Sequence, residues 1–281
     1  MSTDLTLAGH LEGLRAAVVA FVRHAERAGL DTHVPTCPDW SVRRLVAHQG
    51  MVHRWAAAVL RGQRTDADAS ELEGRSTADP LGWLEDGALD LVAAIHEAPE
   101  DVRTVVFLND APAPRQFWAR RQCHETTVHA VDALSAALGR YPGAADTWVD
   151  PVQARDGIDE LLGGFVTRNH SRVRCAEQMR LGVLPTDADE GWLVEVSARP
   201  AARGAGRRSR RGAPGVVGLA LPRPVEPCRR GQCRARPLGE VAGPVVDRLG
   251  MIQPGPMSPG RRAGRSGRDE FLDTDLFNLE H

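Results

Sequence analysis

The chain has 281 residues, a formal net charge of −2 and five cysteines at irregular spacing, which argues against a disulfide framework and favours free thiols. No apolar run approaches the roughly 20 residues that span a bilayer, and the N-terminus lacks a basic region followed by an apolar block. We therefore expect a cytoplasmic protein that does not contact membranes.

Four or five amphipathic helices are predicted over residues 1–170, and no stretch of strict apolar alternation competes with them. The first runs from about Asp4 to Ala28, with apolar residues at steps of three or four, and Gly29 ends it. A second helix begins after the N-cap residue Ser41, where Trp40 can pack on the following turn.

The second helix is expected to run to about Arg61, and a polar loop over residues 62–79 follows it. A third helix is predicted from Pro80 to about Ala98 and a fourth from about Arg115 to Leu138. Asp150 and Pro151 are typical of an N-cap and first position, so a fifth helix is expected from there to about Phe165. Short connections between helices of similar length favour an antiparallel bundle and an all-α fold.

The segment RRQCHETTVHAVDAL, residues 120–134, places Glu125 and His129 one turn apart on the fourth helix. Both lie on the stripe that faces the bundle interior or its rim, and His48 lies on the inward side of the second helix. Zinc accepts His nitrogen and Glu oxygen, and catalytic zinc usually has three protein ligands. His48, Glu125 and His129 are therefore candidate ligands of an open metal site.

Other interpretations of these residues remain open at this point. A Glu–His pair four residues apart also occurs by chance as a surface pair worth a few tenths of a kcal/mol. Asp132 is a candidate hydrogen-bond acceptor for His129, and a solvated position for it is an equal alternative. His53 is expected at the rim or surface, and His124 one step off the inner face.

Four motifs, CPDWSVRRLVAH, GMVHRWAAAV, RQCHETTVHAVDAL and DGIDELL, occur in this order along the chain. Together they resemble the mycothiol-dependent maleylpyruvate isomerase family over about residues 5–170. The resemblance implies a DinB-like antiparallel four-helix bundle. It also implies that the metal ligands of the family correspond to His48, Glu125 and His129, the set that helix geometry selects independently.

The resemblance further implies Zn²⁺ or another divalent metal as cofactor and mycothiol, a low-molecular-weight thiol, as cosubstrate. A metal-stabilised thiolate would add to an electrophilic small molecule such as maleylpyruvate, giving isomerisation or thiol S-transfer. Arg121 is a possible contact for a substrate carboxylate, although an Arg at this position more often extends to solvent. The alternatives are a non-enzymatic metal-binding bundle, an inactive family member, and a polar core network without metal.

Three regions are predicted: residues 1–175 as the bundle, 176–198 as the start of a small C-terminal domain, and 199–281 as an irregular tail. The segment GWLVEV at residues 191–196 resembles the opening of the C-terminal domain in the family.

The tail, residues 199–281, is rich in Arg, Pro and Gly, without an apolar period, and we expect it to be irregular or disordered. It contains 16 Arg and 8 acidic residues, whereas residues 1–198 contain 19 Arg and 29 acidic residues. The joint change in pattern and charge motivates the hypothesis of a reading-frame change near residue 199. Nucleic-acid binding is not expected, because the tail has no Lys and no interleaved aromatic residues.

Overall fold

Four long helices form the body of the protein, for which a computed structural model describes residues 5–185, 191–203 and 217–220. The first packs along the last, and the two central helices pack along one another. The predicted four-helix bundle is confirmed. The four helices are α1 (Leu7–Ala28), α2 (Val42–Leu60), α4 (Pro80–Glu97) and α5 (Pro114–Leu138).

The ends of these helices follow local sequence signals. Ser41 caps α2 by accepting a hydrogen bond of 3.4 Å from the backbone N–H of Arg44. Gly29 follows α1 with a φ of 87°, a conformation that residues with a Cβ rarely adopt. The predicted starts and stops therefore lie within a few residues of the observed ones.

Two elements precede or follow α2 without having been predicted. A short hairpin of β1 (His33–Val34) and β2 (Cys37–Ser41) leads into that helix. Helix α3 (Ala67–Ser76) occupies part of the predicted polar loop and packs against α2 and α4. Asp66 caps it through the backbone N–H of Ala69 at 3.0 Å, so capping and packing stabilise a helix that has little apolar periodicity.

Beyond the bundle, a helix capped by Asp150 as predicted is followed by one π-helical turn at residues 161–165. The elements of this part are α6 (Pro151–Glu160), β3 (Met179–Leu184), β4 (Trp192–Val196), β5 (Ala202–Arg203) and β6 (Val217–Ala220). The strands form a four-stranded sheet in the order β5-β4-β3-β6, with β3 antiparallel to β4 and parallel to β6.

Strand β4 coincides with the predicted opening of the C-terminal region. Two short strands, β5 and β6, lie after residue 199, where only irregular chain was expected; the rest of the predicted tail, with Cys228 and Cys233, lies outside the described residues. The predicted domain boundaries and the reading-frame change stay predictions.

Apolar side chains of the bundle form two main clusters, separated along the helices by polar residues. One cluster contains Leu14, Leu91 and Phe117, and the other contains Phe21 and Leu45. Among the described helices, none is long and apolar enough to cross a membrane. The three described cysteines are Cys37, Cys123 and Cys175, and all are free.

The polar residues between the clusters define where chemistry can occur. On α2 they include His48 and His53, and on α5 they include Glu125, Thr126 and His129. Polar groups in the interior of a bundle are costly unless they are paired or bind a ligand, so this layer is the candidate functional site.

Candidate metal centre

The structure brings the three predicted ligands together. One ligand atom each from His48, Glu125 and His129 lies within 4.8 Å of the other two. The Glu125 Oε1 to His129 Nε2 distance is 3.3 Å. Two ligand atoms of a tetrahedral zinc lie roughly 3.3 Å apart, given metal–ligand bonds of about 2.0–2.1 Å. The pair on α5 therefore fits a shared metal, and the ligand atom of His48 lies within 4.8 Å of both.

His129 forms the buried floor of this cluster. Its Nδ1–H donates to Asp132 Oδ2 at 2.9 Å, which selects the hydrogen-bonded position of Asp132 over the solvated alternative and leaves Nε2 directed at Glu125. Burial disfavours the charged imidazole, but the hydrogen bonds to Asp132 and Glu125 outweigh it and raise the pKa of His129 to about 9. A carboxylate behind an imidazole is the usual arrangement for fixing a metal-binding His.

Glu125 is held on its other side by Arg121. The Arg121 guanidinium donates to Glu125 Oε2 at 2.7 Å and also to Glu160, at the end of α6, and lies 5.0 Å from the centre of the Phe165 ring. Burial opposes ionisation of Glu125, yet the charges of Arg121 and His129 lower the pKa of its carboxyl. The carboxylate is therefore anionic and oriented.

Arg121 is buried, so the expectation that its side chain extends to solvent is wrong. The physical reason is that Glu160 supplies a counter-charge from a segment that covers α5. A direct contact between Arg121 and substrate stays a prediction, whereas its contact with Glu125 is observed.

Trp40 forms one wall of the site in addition to its predicted contact with the apolar cluster around Leu45. Its ring centre lies 4.9 Å from that of His48 and 6.2 Å from that of His129, stacked on the latter. The Arg44 guanidinium carbon lies 4.6 Å from the centre of the same indole ring. Sequence reasoning missed this aromatic wall, because it treated Trp40 only as a helix staple.

Glu71 on α3 also reaches the cluster and was missed. Its Oε2 lies 3.8 Å from His48 Nδ1, and its Oε1 accepts a hydrogen bond of 2.7 Å from Arg75. Contact with His48 is the main cause that lowers the pKa of the Glu71 carboxyl, and the charges of Arg75 and Arg44 add to it against the effect of burial. The N-cap Asp66 and the helix-favouring residues after it were the signal for this element.

The expectation that His53 lies at the rim or surface is wrong. It is fully buried, its Nε2 lies 2.9 Å from Thr126 Oγ1, and burial lowers its pKa to about 3. The reason is that His53 points into the bundle, between Thr126 on α5 and the backbone of Leu84 on α4.

A second cluster with metal-ligand chemistry contains His10, His124 and Asp156, all buried. Both imidazoles lie within hydrogen-bonding distance of Asp156 Oδ2, at 2.9 and 2.6 Å. Arg120 Nε donates to the same oxygen at 3.0 Å, so a cation already neutralises this carboxylate. The arrangement is that of an ion-pair network between α1, α5 and α6.

These features define a four-helix bundle with a His–Glu–His cluster in which two members are partly exposed, His48 at 15% and Glu125 at 25% of the side chain. Residues 11–134 match the family model described as Mycothiol maleylpyruvate isomerase N-terminal domain. The match confirms the predicted family resemblance for this stretch, which contains all three cluster residues. No curated protein and no solved structure matches the chain.

Proposed function

We propose that His48, Glu125 and His129 bind one divalent metal ion, Zn²⁺ by preference, and that the protein uses mycothiol as a thiol cosubstrate. The observation that carries the proposal is the convergence of these three side chains within 4.8 Å. The family match supports the thiol and the class of substrate, an electrophilic small molecule such as maleylpyruvate.

The residues around the cluster fit a bound metal. Asp132 accepts from His129 Nδ1–H and Arg121 holds Glu125 Oε2, so each ligand presents its other polar atom to the shared position. Two imidazoles with one carboxylate are a ligand set that zinc accepts, and a metal bound here would displace the Nε2 proton of His129. Zinc bound there would supply a stabilised thiolate at neutral pH.

The reaction follows from an anionic sulfur next to an activated double bond. The sulfur bonds to one alkene carbon while the π electron pair moves to a conjugated carbonyl oxygen. Rotation about the resulting single bond and loss of the thiolate restore the alkene in the other geometry, which is isomerisation. Protonation of the enolate carbon instead leaves a stable thioether, which is S-transfer.

In either outcome the chain itself orients the proposed metal ligands and shields them on one side from solvent. The Trp40 ring covers both imidazoles on one side, whereas the partly exposed Glu125 leaves an approach from solvent. The buried Asp132 holds His129 in one orientation, which costs no reorganisation when substrate binds.

A second candidate is a polar network that binds no metal. Arg121, Glu125, His129 and Asp132 form an unbroken series of contacts of 2.7, 3.3 and 2.9 Å. Such a network satisfies buried polar groups without any ligand.

Metal content per chain, measured by elemental analysis after purification without a chelating tag, tests the proposal. We expect about one zinc per chain in the wild type and in the control His96→Ala, an exposed histidine, and loss in His48→Ala and Glu125→Ala. The absence of metal after zinc is offered would favour the polar network. Bound zinc without mycothiol-dependent consumption of maleylpyruvate would leave a non-enzymatic metal-binding bundle.

A further inference from the structure

Arg44 differs from the other arginines around the site in that its Nε has no acceptor among the described residues, although its charge acts on the nearby Glu71 carboxyl. Its Nε is buried, and among the described residues no group accepts a hydrogen bond from it. Arg121 is bonded to two carboxylates and Arg75 to Glu71. The preceding residue, Arg43, lies 3.9 Å from Asp31. A buried guanidinium donor without a partner is costly, so this Nε favours an acceptor that lies beyond the described residues.

The position of Arg44 connects it to the metal centre. It precedes His48 by four residues on α2, so the two side chains lie on the same face, one turn apart. Its guanidinium lies over the indole of Trp40, which itself contacts the imidazoles of His48 and His129. The ring of Trp40 therefore contacts both the Arg44 guanidinium and the proposed metal ligands.

The chemistry of the group selects a carboxylate. A guanidinium is planar and pairs with both oxygens of a carboxylate, and stacking on Trp40 restricts the plane in which it can do so. Arg121, the contact predicted from sequence, is already engaged by Glu125 and Glu160.

We propose that Arg44 binds a carboxylate of the small-molecule substrate beside the His48, Glu125 and His129 cluster and thereby determines specificity for acids. This inference rests on the proposed function for its location, but its test does not require turnover.

Binding of maleate, a small dicarboxylate, to the zinc-loaded full chain is measured by titration calorimetry, with uncharged maleamide as a matched probe. Arg44→Gln removes the charge, Arg44→Lys keeps it, and Arg43→Gln is the control on the same helix. We expect maleate binding to weaken about tenfold to a hundredfold in Arg44→Gln, which is typical of losing a charge-assisted hydrogen bond. Arg44→Lys should retain part of the affinity, and Arg43→Gln should bind as the wild type does.

Zinc content and helical circular dichroism of each variant separate loss of the carboxylate contact from loss of the fold or the metal. The proposal is overturned if Arg44→Gln binds maleate as tightly as the wild type, or if maleamide binds as tightly as maleate. It is also overturned if inorganic phosphate binds Arg44 more tightly than maleate does. If the wild type holds no zinc, the proposed function fails, and Arg44-dependent maleate binding to the metal-free chain still supports the carboxylate site.

Discussion

Replacing Asp132 by Asn tests how much the charge behind His129 contributes to metal binding by this proposed ligand. In the wild type, His129 Nδ1 lies 2.9 Å from Asp132 Oδ2. The substitution keeps the shape of the side chain, and the amide oxygen of Asn can still accept a hydrogen bond from His129 Nδ1–H. What changes is the charge of the acceptor. Asp132 is buried, so little solvent screens that charge.

The expected size of the effect follows from the difference between two kinds of hydrogen bond. A bond to a charged acceptor contributes about 1.5–3 kcal/mol and a neutral one about 0.5–1.5 kcal/mol. The loss is therefore about 1–1.5 kcal/mol, or roughly fivefold to tenfold in zinc affinity. This falls at the lower end of the roughly 10–100-fold range for losing a carboxylate behind a metal-bound imidazole.

Zinc affinity is measured by competition with a chromophoric chelator at pH 7.5. Asp146→Asn is the control, because Asp146 forms an exposed pair with Arg140 at 2.9 Å. We expect the control to bind zinc as the wild type does. An affinity unchanged in Asp132→Asn, or a complete loss of zinc, would refute the argument that the charge of Asp132 strengthens metal binding through its hydrogen bond to His129.

Three further predictions concern the fold. Asp156→Asn should destabilise the protein by about 3 kcal/mol in urea unfolding at neutral pH, because it removes a buried ion-pair partner. Burial raises the folded-state pKa of Asp156, but hydrogen bonds from His10 and His124 outweigh burial and lower it below the unfolded value of 3.8. The stability advantage of the wild type should therefore shrink as pH falls below 3.8. Burial, with the nearby Asp156 charge, raises the pKa of Cys123 to about 12, so thiol reagents at pH 8 should label Cys175 but not Cys123 in peptide maps of the folded protein. Gly50→Ala should cost about 1–3 kcal/mol by thermal unfolding, because its Cβ would lie 2.3 Å from the Trp83 ring; unchanged stability would contradict this contact.

The long helices could be predicted because each carries apolar residues at helical spacing and a recognisable cap. Helix α3 could not be found in this way. Leu72 is its main apolar residue and is itself exposed, so the helix forms through its N-cap and through contact with α2 and α4. Its contribution to the site, Glu71, was missed for the same reason.

The convergence of His48, Glu125 and His129 was predictable because helical periodicity fixes the direction of a side chain once the face toward the bundle is known. The spacing also made Asp132, three residues after His129, a candidate acceptor, but only the structure selected that role over a solvated position. These relations are local, or depend only on two helices facing one another.

By itself, the sequence determined the helices, the faces they bury and the three side chains that meet between them, because helical repeat and apolar pattern are properties of neighbouring residues. Only the tertiary structure decided which charges are paired. Arg121 meets Glu160 across 39 positions of the chain, and His124 meets Asp156 across 32. Arg44 forms no comparable hydrogen bond among the described residues, although its charge acts on Glu71 of the packed helix α3, since ion pairing depends on distances that folding alone sets.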